Sequence, residues 1–240
     1  MTMDGQRVVV LGGTSGIGLA VAKAVAREGG SPIVVSRTPE RVGAALADLP
    51  ANAEGIVLDL RDEAAMREAF LRIGAFDHLV FTAGESLKIG PITDLPLEDA
   101  RQFFDVRFWG AFAAAKHGAP CIRPGGSVVF TSGIAGARPP QGGWALGASV
   151  CAAMEGLTRA LALELKPIRV NIVSPGFVRT PLWSDIPEAD REAMYAAAGE
   201  RLPVGRVGTA EDLAEAYLFL MRQDFATGQT LVVDGGGLIS

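Results

Sequence analysis

A cluster of glycines and small hydroxyl side chains, Gly12-Gly-Thr-Ser-Gly-Ile-Gly18, has the makings of a phosphate cradle. Glycines without a Cβ let a diphosphate approach the backbone, and a helix starting here would present unpaired N–H groups and a partial positive charge. The spacing of Gly12, Gly16 and Gly18 is wider than Gly-x-Gly-x-x-Gly, and the same glycines would equally shape a tight strand-to-helix turn. Thr14 and Ser15 add hydroxyls, and Ile17 opens the apolar pattern that follows. Further along, Ser36-Arg37 offers a cation able to meet the ribose of an adenosine. A planar guanidinium suits a 2′-phosphate because it can donate two hydrogen bonds, and the nearest carboxylate, Glu40, already belongs to the next helix. Asp59 can accept from an adenine amino group or cap the helix starting near Glu63, and Ala83-Gly84 leaves room for a ribose against the backbone.

These residues need elements that bring them together. Val8 to Leu11 is an apolar run of strand length, followed by a helical pattern from Leu19 onward. Further strands are expected at Pro32–Ser36, Ile56–Leu60, His78–Gly84, Ser127–Thr131, Arg169–Val173 and Thr230–Val233. Helices are expected at about Pro39–Ala47, Glu63–Ile73, Leu97–His117, Ala148–Leu165, Glu188–Ala197 and Ala210–Arg222. Strands apolar on both faces and alternating with helices imply an α/β fold, a doubly wound, Rossmann-type parallel sheet of seven strands with helices on both faces. Ligands of such folds lie outside the carboxyl ends of the strands, where every residue named above falls.

With 240 residues, 49% apolar and 20% charged, the chain is expected to form one nucleotide-binding domain over 1–240, with a substrate-side segment at about 175–208. A net charge of −5 without charged tails argues against a general nucleic-acid or membrane-surface role. Two cysteines, Cys121 and Cys151, and two histidines, His78 and His117, have no metal-ligand spacing, so no metal is expected. No apolar signal segment precedes Val8, and a cytoplasmic setting is expected.

Together these residues resemble the short-chain dehydrogenase/reductase family over essentially the whole chain. Gly12 to Gly18 is similar to that family's nucleotide loop, with Leu11 where a threonine is usual, and Leu58-Asp-Leu60 to its adenine-contact motif. Arg169 to Thr180 resembles the segment that includes Pro175 and Gly176 and holds the nicotinamide carboxamide through Val178 and Thr180. Gly228 to Gly236 matches the final strand. The resemblance implies an oxidoreductase acting on a small-molecule substrate, with NADP(H) preferred over NAD(H) through Arg37. It also implies a homo-oligomer, dimer or tetramer, since similar members pair the helices that correspond to the fourth and fifth here. The Ala148 to Leu165 helix is apolar on too many faces for one side of a sheet to cover.

The resemblance fails where the family keeps its chemistry. Its activity rests on a proton-donating tyrosine, a lysine four residues later, a serine and an asparagine. Alignment on Ala152-Ala-Met-Glu-Gly-Leu-Thr-Arg159 puts Gly147 at the tyrosine, Cys151 at the lysine, Gly133 at the serine with Ser132 one residue early, and Arg107 at the asparagine. The usual Asn-Asn before Ala83 is Phe81-Thr82. The two tyrosines, Tyr195 and Tyr217, and the lysines, Lys23, Lys88, Lys116 and Lys166, all lie outside the segment from Gly133 to Glu164. A phenol with a free pKa of about 10 needs a neighbouring cation to be useful near neutrality. A positioned general acid is worth about 10²–10⁴-fold, so ordinary ketone reduction should be slow. Arg107 and Arg138 can polarise a substrate oxygen, Ser132 can donate to it, and Cys151 is a nucleophile only if its pKa is lowered. Trp109 and Trp144 read as packing or pocket walls. No catalytic residue follows from the sequence, and three functions stay open: a divergent NADP(H)-dependent oxidoreductase, a nucleotide binder without redox chemistry, and a non-redox enzyme on this fold.

Overall fold

In β1 (Arg7–Leu11) successive side chains point to opposite faces, and both faces are buried. Val9 and Leu11 join the core beneath one helical layer, while Val8 and Val10 join the core beneath the other. The same holds for β2 (Ser31–Ser36), β4 (Phe76–Phe81), β5 (Ile122–Thr131) and β6 (Arg169–Pro175), with β3 (Glu54–Val57) and β7 (Thr230–Val233) at the edges. In the computed structural model, which describes residues 2–240, all seven strands are parallel in the order β3-β2-β1-β4-β5-β6-β7. The sequence expectation of a doubly wound parallel sheet is therefore met. Strand order reverses between β1 and β4, and a crevice opens at their carboxyl ends.

Helices α1 (Gly16–Arg27) and α8 (Ala210–Arg222) cover one face through Val21, Val25, Leu213, Tyr217 and Leu220. Beside them α2 (Pro39–Ala47) adds Ala45 against Val34. On the other face α3 (Glu63–Ile73), α5 (Ala111–Gly118) and α6 (Ala145–Glu164) contribute Met66, Phe70, Ala114, Met154 and Leu161. Each fully buried Phe or Leu of this kind stabilises by about 1.5–3 kcal/mol, which holds the strand ends rigidly in place. Although α6 has the length and mean hydropathy, 1.2, of a membrane span, its Gly147, Val150, Met154, Thr158 and Leu161 form a buried stripe, as in a sheet-covering helix.

Four elements differ most from the sequence expectation. The third strand runs over Glu54–Val57 rather than Ile56–Leu60: Leu58 makes one further bond, N–H to Ser36 O at 2.9 Å, and the chain then turns. Leu58 and Leu60 are apolar because they plug the core, not because the ladder continues. The fourth strand stops at Phe81, short of Gly84. The fifth starts earlier, at Ile122, because a register shift opposite Phe76 and His78 absorbs Pro124-Gly125-Gly126. The long helix expected over Leu97–His117 is broken into α4 (Leu97–Phe104), a π-helical turn over Asp105–Gly110, and α5. The wide turn carries Arg107, and π turns of this kind concentrate at functional sites. Beyond β6 the segment 175–208 contains a 3₁₀ turn at Pro181–Trp183 and α7 (Glu188–Arg201).

Candidate functional site

The chain leaves β1 through Gly12, whose φ of +86° lies in the left-handed region and whose N–H donates to Val35 O at 3.0 Å. A Cβ here would lie 2.7 Å from the Ala83 nitrogen, and one on Gly18 would lie 2.2 Å from Gly12 O and 2.5 Å from Thr82 Oγ1. The glycine loop is thus pressed against the end of β4, and no side chain fits at either position. The Thr82 hydroxyl fixes the contact by donating to Leu11 O at 3.2 Å and Gly12 O at 3.3 Å. Helix α1 starts at Gly16, its Ser15 cap makes no side-chain cap hydrogen bond, and its first turn carries no acidic residue. Its first N–H groups are therefore claimed by no side chain, and the bare loop fits the diphosphate of a dinucleotide. Thr14 and Ile17 are half-buried beside it, and Ser15 is exposed.

Beyond β2, Ser36 is half-buried, whereas Arg37 is exposed with its Nη1 3.8 Å from the Glu85 carboxylate. That long surface ion pair is worth little and leaves the guanidinium free for a better partner. Asp59 accepts from Arg61 Nη2 at 2.6 Å and Nε at 3.0 Å, and this bonded guanidinium holds its carboxyl below the usual carboxylate value. The capping alternative weighed for Asp59 is not what forms: Asp62 caps α3, accepting from the Ala65 N–H at 2.9 Å. Leu60 is buried in the core, so its backbone rather than its side chain is left for a ligand. Ala83 and Gly84 follow β4 in the crevice, Ala83 half-buried and Gly84 exposed.

Across the crevice, Pro175 ends β6 and Gly176 follows it, where a Cβ would meet Asp234 Cα at 2.5 Å. Val178 is buried and bridges to Gly208. A Cβ on Gly16 would lie 3.3 Å from Pro181 Cδ and 3.5 Å from Thr180 Cβ, so the segment after β6 closes against the glycine loop. The residues expected from sequence at five strand ends, those of β1, β2, β3, β4 and β6, thus lie along the carboxyl edge of the sheet.

Between the ends of β4 and β5 and helix α6 lies a cavity of about 50 Å³. Thr82, Arg107, Ser132, Val150, Cys151 and Met154 line it, with Ala83 and Thr131. Burial pushes the Cys151 thiol up to about 11, against the pull of the Arg107 charge, so it is a neutral thiol near pH 7 and not an activated nucleophile. Ser132 Oγ donates to Glu155 Oε1 at 3.3 Å. Sequence reading missed Glu155, although its place four residues after Cys151 on α6 puts it on the same helical face. Thr82 was also missed as the clasp of the loop.

Other sequence candidates fall elsewhere. Arg138 is exposed and donates to Gly237 O at 3.0 Å, outside the cavity. Trp109 is 57% exposed, stacked edge-on against Phe108 at 4.9 Å, and is neither core nor pocket wall. Trp144 packs on Gly147, where a Cβ would meet its ring at 3.1 Å. Neither tyrosine lines the cavity. The Tyr217 hydroxyl lies 2.6 Å from Thr131 Oγ1, fully buried, and burial raises its pKa. Tyr195 sits under Arg179, 4.4 Å from the guanidinium carbon, among Phe177 and α7.

The model of a family described as enoyl-(acyl carrier protein) reductase matches residues 12–237. A curated relative, the short-chain dehydrogenase/reductase malC of Malbranchea aurantiaca, is 34% identical over 99% of this chain and 96% of its own. The solved structure of a small-chain dehydrogenase in complex with NADPH is 39% identical with a TM-score of 0.83, covering 99% of this chain and 100% of that one. The structure of MalC Reductase/Diels-Alderase, also from Malbranchea aurantiaca, is 32% identical with a TM-score of 0.92, covering 99% of this chain and 98% of that one. With a glycine loop at the switch point of a seven-stranded parallel sheet and relatives matching end to end, the chain belongs to the short-chain dehydrogenase/reductase family.

Proposed function

We propose that this chain is an NADP(H)-dependent oxidoreductase that transfers hydride to a small organic acceptor without the family's tyrosine and lysine. The observation that carries it is the bare α1 N-terminus at the switch point, with the lone exposed Arg37 guanidinium beyond β2. The complex of a similar dehydrogenase with NADPH supports the same cofactor here. Gly12, Thr14, Ser15, Gly16, Ile17 and Gly18 would hold the diphosphate through backbone N–H groups and hydroxyls. Ser36 and Arg37 would take the 2′-phosphate, with Asp59 and Leu60 at the adenine and Ala83 and Gly84 along the ribose. Pro175, Gly176, Val178 and Thr180 would face the nicotinamide. When bound, NADPH supplies a hydride.

On this reading no phenol protonates the product oxygen, because Gly147 and Cys151 stand at the aligned positions. The acceptor must then be one whose reduction leaves no bare alkoxide, such as an iminium or a quinone-like compound. A second reading, chemistry other than hydride transfer, draws on the relative that is named both reductase and Diels-Alderase. We also read the chain as one cytoplasmic domain that forms a homo-oligomer. The exposed Leu163 of α6, and Trp109 and Phe112 around the start of α5, support that assembly.

Three outcomes follow. NADPH should bind about tenfold or more tightly than NADH in a fluorescence titration, and Arg37→Ala should remove most of the difference. Equal dissociation constants for the parent would contradict the cofactor assignment. In a spectrophotometric screen of NADPH oxidation, aliphatic ketones should turn over about 10²–10⁴-fold more slowly than is usual for a reductase with a positioned acid. Fast ketone turnover would refute the missing-acid argument, and tight NADPH binding with no turnover of any class would favour the second reading. Light scattering at micromolar concentration should give a dimer or tetramer of the 25.0 kDa chain, and a monomer mass would count against assembly.

A further inference from the structure

The cavity beside Ser132 and Cys151 is lined by a cation, Arg107, that forms no ion pair among the described residues. Of the neighbouring carboxylates, Glu85 pairs with Arg37 and Glu155 accepts from Ser132. The guanidinium is held from three sides. Its Nη2 donates to Glu85 O, its carbon sits 4.9 Å over the Phe103 ring, and Nη1 lies where a Cβ on Gly84 would come within 2.7 Å. The Nε–H is left over. It is buried without a hydrogen-bond partner, alone among side-chain nitrogen and oxygen atoms of the described residues. Burial lowers the Arg107 pKa, but an arginine stays charged in proteins. A buried donor on an unpaired cation is costly unless something anionic or strongly accepting meets it. An unmet donor on a cation, carried by a π turn of the kind that concentrates at functional sites, marks Arg107 as a binding group.

We infer that Arg107 is the oxyanion receptor of this site, and that its acceptor is a quinone-like compound rather than an iminium. The inference rests on the NADP(H) reading above and names its substrate class. A cationic iminium would place a second positive charge against the half-buried guanidinium, and the neighbouring Cys151 thiol is too weak an acid to offset it. A quinone-like acceptor is neutral on entry and anionic after reduction, so Arg107 interacts more strongly with the product-like transition state than with the substrate. The acceptor carbon gains the hydride from the dihydronicotinamide, which is oxidised to NADP⁺. One π bond of the conjugated system breaks, and its electron pair comes to rest on the carbonyl oxygen beside the Arg107 side chain that lines the cavity. The delocalised oxyanion takes its proton from water after release, so no side chain has to supply one. At about 50 Å³ the cavity admits one carbonyl group, with the remainder of the acceptor in the open crevice.

The anion of 2-hydroxy-1,4-naphthoquinone is the probe, titrated calorimetrically into the NADP⁺-loaded protein. Affinity should fall about tenfold or more in Arg107→Met and return in part in Arg107→Lys, while the NADPH dissociation constant stays within roughly twofold. With the parent, 1,4-naphthoquinone should be reduced faster than a cyclic iminium such as N-methyl-3,4-dihydroisoquinolinium. Equal probe affinity in parent and Arg107→Met, or faster turnover of the iminium, would overturn the inference. Should Arg107→Met fail to fold by near-ultraviolet circular dichroism, Arg107→Gln keeps N–H donors without the charge, and undiminished probe affinity there overturns it equally. If NADPH does not bind the parent at all, the cofactor reading falls, and titration of the free protein with the same anion still decides the role of Arg107.

Discussion

The site depends on a backbone contact that admits no side chain. Gly12 and Gly18 lie so close to each other and to Thr82-Ala83 that a single Cβ would overlap main-chain atoms. That contact joins the end of β1 to the end of β4 at the point where strand order reverses. It aims the α1 N-terminus into the crevice and fixes where β4 releases Ala83, Gly84 and Glu85. Glu85 in turn supplies the carbonyl that anchors Arg107. The phosphate cradle and the half-buried guanidinium thus share one support, and a change in either glycine would disturb both.

Electrostatics then divides the crevice. At the outer end Arg37 and Arg61 are exposed, where solvent screens them and a phosphate can compete with Glu85 and Asp59 for their donors. At the inner end Arg107 is half-buried, so its charge is less screened than those of Arg37 and Arg61. At 4 Å and an effective dielectric of 20 a unit charge pair is worth about 4 kcal/mol, against about 1 kcal/mol in water. A preorganised donor of that kind is the natural substitute for a proton when the product is a delocalised anion. It is a poor substitute when the product is a localised alkoxide, which still needs a proton of its own.

Much of this was legible in the residues. Strands covered on both faces, such as Val8–Leu11 and Ile33–Val35, announce themselves as unbroken apolar runs, and the glycine loop marks the first crossover. The edge strand β3 was displaced because Leu58 and Leu60 are apolar for a different reason, anchoring a turn in the core. The break at Asp105–Gly110 had no sequence signal, since Val-Arg-Phe-Trp continues a helical pattern well enough. The burial of Arg107 follows from that break together with the missing side chain at Gly84, two features far apart in the chain. Arg138, read beside it as an equal candidate, differs only in its surroundings, a loop that points it at Gly237.

Central to this reading is that a half-buried guanidinium, aligned with the family's asparagine, meets the product oxygen in place of a phenol and an ammonium. A crystal structure with NADPH and a quinone-like inhibitor bound tests it most directly, through the groups lying within about 3.5 Å of the reacting atoms beside nicotinamide C4. The expected result is the Arg107 guanidinium at hydrogen-bond distance from the inhibitor oxygen, the Cys151 thiol nearby, and no tyrosine or lysine in reach. A phenol or ammonium at that oxygen, from Tyr195 or from a second copy of the chain, would contradict it.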